Sequence, residues 1–84
     1  MPADYQLGIS EEVLAELVAS PRPVQRRMVA RLETLKANPF REGDYTETDS
    51  DGLVNQVLLI DDLIATYHTD HAVKVIRVLR VEWV

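Results

Sequence analysis

From Val54 to Trp83 the chain is strand-forming almost without pause, and only two short polar breaks interrupt it. Val54–Ile60 is followed by Asp61-Asp62, Leu63–Thr69 by Asp70-His71, and Val73–Trp83 closes the run. Valine, isoleucine, threonine and tyrosine dominate these stretches, as a pleated half-buried surface prefers. Breaks this short permit only antiparallel hairpins, because a parallel connection needs a dozen or more residues. The C-terminal half is therefore an antiparallel meander, and whatever precedes it must cover one of its faces.

Two helices precede it. Tyr5-Gln6-Leu7-Gly8-Ile9 alternates like a short first strand, and Ser10 then reads as an N-cap with Glu11 and Glu12 in the first turn, where the helix dipole favours anions. Val13, Leu14, Leu17 and Val18 recur at helical spacing and carry this helix to about Ala19. Ser20-Pro21-Arg22-Pro23 stops it and opens the next, since proline is tolerated only in a first turn. Val24, Met28, Leu32 and Leu35 form the buried stripe of the second helix, which Asn38-Pro39 ends. Gly43–Gly52 is polar and acidic, a loop or short edge strand around Tyr45 with a turn at Asp49–Gly52. The expected fold class is α+β, in the order β-α-α-β-β-β: an N-terminal helical hairpin packed on one face of an antiparallel sheet.

The 84 residues make one domain, 1–84, able to bury only about 60% of its unfolded surface. An apolar fraction of 46% argues against disorder. The absence of cysteine removes disulfides and thiolate metal sites and suits a reducing compartment. No apolar run reaches the roughly 18 residues of a membrane span, and MPADYQLGIS has no signal-peptide pattern. The net charge of −5 conceals segregation: Arg22, Arg26, Arg27, Arg31, Lys36 and Arg41 fall together, and seven acids with no base follow between Glu42 and Asp62. The net sign weakens a general case for nucleic-acid binding but leaves room for a local basic face.

Several groups have the residue types of a site. Arg22, Arg26, Arg27 and, on the last strand, Lys74 are candidate partner contacts, against the simpler reading for the helical arginines of a solvated face that offsets nearby acids. Arg77 and Arg80 have opposite strand parity, so one faces each side of the sheet, and Lys74 shares a side with Arg80. Either arginine suits a phosphate oxygen or a carboxylate on a partner. His68 and His71 flank a turn with Asp70, and imidazole can move protons near neutral pH, with Glu47 or Asp49 as an opposing base. The bland reading makes these turn-forming polar residues, with Asp70 capping the hairpin. No metal site is expected. His68-Thr69-Asp70-His71 lacks a partner motif, and Glu42, Asp44, Glu47, Asp49 and Asp51 lack calcium-loop spacing. Trp83 reads as a core or interface plug.

The order of elements resembles the RelE/ParE superfamily of toxins. Arg31-Leu-Glu-Thr-Leu-Lys-Ala-Asn-Pro39 is similar to that family's exit from its second helix. Ile64-Ala-Thr-Tyr67, a short turn and Val73-Lys-Val-Ile-Arg-Val-Leu79 resemble its paired strands. The resemblance implies a cytoplasmic bacterial protein, the toxin of a type II toxin–antitoxin pair, held by a cognate antitoxin and using no cofactor. RelE-like members cut messenger RNA on the ribosome; ParE-like members act on DNA gyrase. The chain departs from the nuclease pattern: Val54–Ile60 holds no base, Ile64 stands where an arginine often opens the strand, and ending at Val84 leaves no room for a C-terminal helix. Three functions follow: a toxin whose site, if it is an mRNA interferase, uses Arg77, Arg80, His71, His68 and Glu47; a non-catalytic protein-binding module of the same fold; or a homodimer that pairs through its long last strand.

Overall fold

Ser10 stands in extended backbone, and its Oγ accepts a hydrogen bond from the Val13 N–H at 3.2 Å, which opens the first helix. In this computed structural model, which describes residues 4–84, the elements are β1 (Gln6–Ile9), α1 (Glu11–Val18), α2 (Arg22–Ala37), β2 (Tyr45–Thr48), β3 (Val54–Ile60), β4 (Leu63–Asp70) and β5 (Val75–Trp83). Residues 1–3, the start of the expected 1–84 domain and of the segment read as having no signal-peptide pattern, lie outside the described residues. Pro21 caps α2 and Pro23 sits in its first turn, where a missing N–H costs nothing. Among the described residues no helix is long and apolar enough to cross a membrane.

The fold class expected from the sequence is the one observed, with two additions. The acidic segment contributes the short strand β2 at the expected Tyr45, antiparallel to β3. β1 pairs with β5 in parallel, Gln6 opposite Val75 through Ile9 opposite Val78, so the five-stranded sheet is mixed, in the order β1-β5-β4-β3-β2. The antiparallel expectation holds for the hairpin-connected strands alone. β1 returns to the sheet only after two helices and a meander, a connection long enough for parallel pairing.

Both helices lie on one face. Val24, Met28, Leu32 and Leu35 of α2 are all buried, as the stripe predicts, against Leu58, Ile60, Leu63, Ala65, Tyr67, Ile76, Val78 and Val81. α1 buries only Val13 and Leu17; Leu14 and Val18 stay exposed, so half of its apolar stripe faces outward. β5 lies inside the sheet between β1 and β4, and Leu79–Val81, beyond the reach of β1, run beside Glu12, Val13 and Glu16 of α1. The expectation of a last strand exposed along its edge is therefore corrected for Val75–Val78, which β1 covers, while the residues of β5 beyond Val78 have a strand partner on the β4 side alone.

Candidate functional site

The face of the sheet away from the helices is built by register. Arg80 pairs with Thr66, Thr66 with Val57, and Val57 with Tyr45 in one row; Arg77 pairs with His68, and Glu47 with Asn55, in the neighbouring positions. The expected parity of the arginines is overturned here. Thr66 pairs with Arg80 but Tyr67 with Val78, so Leu79 is an extra residue in β5. Such a bulge shifts strand parity by one, because two residues then oppose one. Since His68 and Thr66 share a face of β4, Arg77 and Arg80 share it too. The bulge serves the core as well, since it lets Val81 follow Ile76 and Val78 onto the helix side.

The arginines do not stand free. Arg80 donates from Nη2 to both carboxylate oxygens of Glu47, at 2.6 and 2.5 Å, and from Nε to Glu82 at 3.3 Å. The Glu47 hydrogen bond is the largest cause that raises the Arg80 pKa above its ordinary value, so the guanidinium stays charged. Arg77 comes within 3.9 Å of Asp70. Glu47, read from the sequence as a base, thus occupies the cation it would have assisted. Thr66, Val57 and Asn55 lie beneath these side chains, 1%, 3% and 3% exposed, although no helix covers them.

The two histidines separate. His68 is on the open face opposite Arg77. His71 sits in the turn before β5, stacked on Phe40 with ring centroids 4.2 Å apart and hydrogen-bonded through Nδ1 to the Tyr5 hydroxyl at 2.8 Å. Asp70 caps that turn, accepting from the Ala72 and Val73 N–H groups. Lys74 does not share a strand face with Arg80: it ends the turn at φ 58 and lines a depression with Tyr5, Phe40 and Arg41. Among the described residues, no three His, Cys, Asp or Glu side chains gather to hold a metal ion.

The basic residues of α2 divide by partner. Arg27 pairs with Asp61, Arg31 with Asp44, and Lys36 with Glu33 one turn away. Asp44 also accepts the Leu59 N–H at 2.8 Å, the bond that does most to hold its carboxyl below the ordinary range. Arg22 and Arg26 have no ion pair among the described residues; with Gln25, Ala30 and the exposed Val18 and Val29 they line a shallow groove on the outer side of the helices. Neither Phe40 nor Asn55 is among the residues singled out from the sequence. Phe40 is the only phenylalanine and directly follows the helix-ending Asn38-Pro39, which is the signal that was there to find.

No protein-family model matches the sequence, and no curated protein does. Solved structures match closely in shape. The archaeal RelE of the RelE–RelB complex from Pyrococcus horikoshii is 19% identical with a TM-score of 0.78, and the match covers 96% of each chain. A chain of the toxin–antitoxin complex RelBE2 from Mycobacterium tuberculosis is 14% identical with a TM-score of 0.73, covering 98% of this chain and 100% of that one. A mutant of the E. coli toxin RelE in the free state is 18% identical with a TM-score of 0.70, covering 96% and 84%. The arrangement of elements is shared where the side chains have largely diverged. The chain has the RelE fold.

Proposed function

We propose that the chain is the toxin of a type II toxin–antitoxin pair, working in the bacterial cytoplasm and neutralised by a cognate antitoxin. The observation that carries this reading is the likeness, over 96% of the chain, to a RelE found in complex with RelB. The outer side of the helices supports it. Val18 and Val29 expose apolar surface beside Arg22 and Arg26, a combination suited to an amphipathic antitoxin segment that carries carboxylates. Arg27, already paired with Asp61, would contribute less.

The action we propose is cleavage of messenger RNA on the ribosome by the open sheet face. Arg77 and Arg80 would contact the phosphate and stabilise its developing charge, and His68 beside Arg77 would transfer a proton. Glu47 would have to release Arg80 first. His71, bound to Tyr5 and Phe40, would act away from that centre. A second reading is favoured by one observation: Glu47, Glu82 and Asp70 oppose both arginines. A face neutralised in this way suits a protein target, as in a gyrase-directed toxin or a non-catalytic binding module.

Induction in growing cells, with translation and DNA supercoiling followed together, tests the readings. The first expects growth arrest with loss of translation, relieved by Arg77→Ala and by Arg80→Ala but not by Lys36→Ala. Altered supercoiling with intact translation selects the gyrase reading. Neither change, with growth unaffected, removes the toxin assignment.

A further inference from the structure

The one phenylalanine of the chain is 77% exposed, yet it is held in a fixed orientation. Phe40 lies flat on His71, with an interplanar angle of 6°. His71 is held in turn by the Tyr5 hydroxyl and by the edge of the Tyr5 ring, at 5.7 Å and 74°. An aromatic side chain left to water would sample several rotamers; this one is braced by His71 stacked on it and Tyr5 edge-on to His71, three rings drawn from β1's approach, the α2–β2 connection and the β4–β5 turn. Phe40 also borders a depression of about 690 Å³ that Tyr5, Asn38, Arg41 and Lys74 line with it.

The cations of that depression are available. Neither Arg41 nor Lys74 has a carboxylate within ion-pair distance among the described residues, whereas Arg27, Arg31, Lys36, Arg77 and Arg80 all do. Asp44 is near enough to feel the Arg41 charge without pairing to it, and Glu42 lines the opposite side of Phe40 with His68 and His71. Lys74 is one of two non-glycine residues at positive φ among the described residues, a conformation that asparagine or glycine would adopt at lower cost. What lysine brings to that position is a charge at the rim of the depression.

We propose that Phe40, Arg41 and Lys74 form a binding site for a nucleotide of single-stranded RNA, apart from the Arg77–Arg80 face. The base stacks on the free side of Phe40 and extends the His71–Phe40 stack, and Arg41 and Lys74 contact the adjoining phosphates. A flat π-face beside unpaired cations is the combination by which proteins hold unpaired nucleotides. The depression has the volume of a small-molecule site. The inference rests on the reading that the chain meets RNA, and it adds where a nucleotide beyond the reacting one is held.

The test is an NMR titration of the full chain with adenosine 5′-monophosphate, a single-stranded RNA trinucleotide and inorganic phosphate. Adenosine monophosphate and the trinucleotide are expected to move the Phe40 and His71 ring signals upfield, saturably; phosphate alone is expected to leave those rings in place. Phe40→Leu should weaken trinucleotide binding about tenfold, and Phe40→Trp should keep it. Phe40 is exposed, so both variants should melt with the parent, and a matched melting curve accompanies each measurement. Rings unmoved by nucleotide, or moved equally by phosphate alone, would overturn the site. So would unchanged trinucleotide binding by Phe40→Leu, including the case in which that variant loses its antitoxin instead, which would make the platform a protein contact. RNA cleavage in induced cells is scored separately. Cleavage without nucleotide at Phe40 defeats this inference alone, and nucleotide at Phe40 without cleavage defeats the nuclease reading alone.

Discussion

Arg80 on β5 reaches across two intervening strands to hold both carboxylate oxygens of Glu47 on β2. The two side chains meet above Thr66 and Val57, the positions that separate them in the sheet. This explains how a face without helices buries a valine and a threonine almost completely. It also makes Glu47 a built-in competitor for the cation that an incoming phosphate would need.

Replacing Glu47 by Gln should therefore change binding more than stability. The pair is well exposed, 45% and 41%, and such pairs contribute about 0–1 kcal/mol. Denaturant midpoints of parent and E47Q should agree within that margin. The Arg80 Nε signal should respond to phosphate at lower concentration in the variant, and the difference should shrink with added salt. Equal phosphate responses would mean that Glu47 does not restrain Arg80.

The bulge yields a second expectation. Deleting Leu79 removes the extra residue and leaves Arg80 opposite Thr66 and Val81 opposite Ala65, so core and open face keep their assignments. Leu79 is 44% exposed, and its loss uncovers little. The deletion variant should unfold cooperatively, with a loss of about 1–2 kcal/mol, within the usual range for a single destabilising change. Loss of the cooperative transition would show that the bulge itself is required to bend β5.

Much of this was legible in the chain and some of it was not, for physical reasons. The stripe Val24, Met28, Leu32, Leu35 and the turns around Asp61 and Asp70 follow from period and turn chemistry, which are local. The parallel partnership of β1 with β5 joins segments nearly seventy residues apart, and no local pattern encodes it. The bulge was hidden because the doubled apolar pair Val78-Leu79, between Arg77 and Arg80, reads as part of a strand apolar on both faces until a partner strand fixes the register. The same error put Arg77 and Arg80 on opposite faces. Arginines and carboxylates were visible as residue types, but which arginine meets which carboxylate depends on the α2–β2 connection, whose path only the fold defines.

Gly43 shows that a residue read as part of a solvated loop can be tightly constrained. A Cβ there would lie 2.6 Å from the Val57 carbonyl oxygen and 2.9 Å from its nitrogen. Both are backbone atoms of a central strand and cannot step aside. Gly43 also donates its N–H to Gln56 Oε1 at 2.8 Å. Gly43→Ala should cost about 1–3 kcal/mol in denaturant unfolding, as overpacking generally does. A neutral result would mean that the segment before β2 can lift from the sheet without loss.

Two titrating groups should shape stability at opposite ends of the pH scale. At the acid end, Asp44 accepts the Leu59 N–H, just past the last residue that β2 pairs, and the Arg31 guanidinium at 3.2 Å. These bonds, the Leu59 one foremost, outweigh burial and hold its pKa below the ordinary 3.8. A depressed folded pKa means the contribution is full above 3.8 and is lost as pH falls through the lower folded value. Asp44→Asn should flatten the acid limb of a stability-against-pH curve. At the alkaline end, Tyr67 is fully buried, and burial raises its phenol above the ordinary 10.0. A raised folded pKa means its contribution is full below 10.0 and is lost as pH rises through the folded value. Tyr67→Phe gives up only a long 3.5 Å hydrogen bond to the Arg41 carbonyl, and it should remove the part of the alkaline decline that phenolate formation causes. Thermal midpoints of parent and both variants across the pH range check each sign independently. If Asp44→Asn leaves the acid slope unchanged, the carboxylate is not what ties α2 to β3; if Tyr67→Phe leaves the alkaline slope unchanged, the core opens before the phenol ionises.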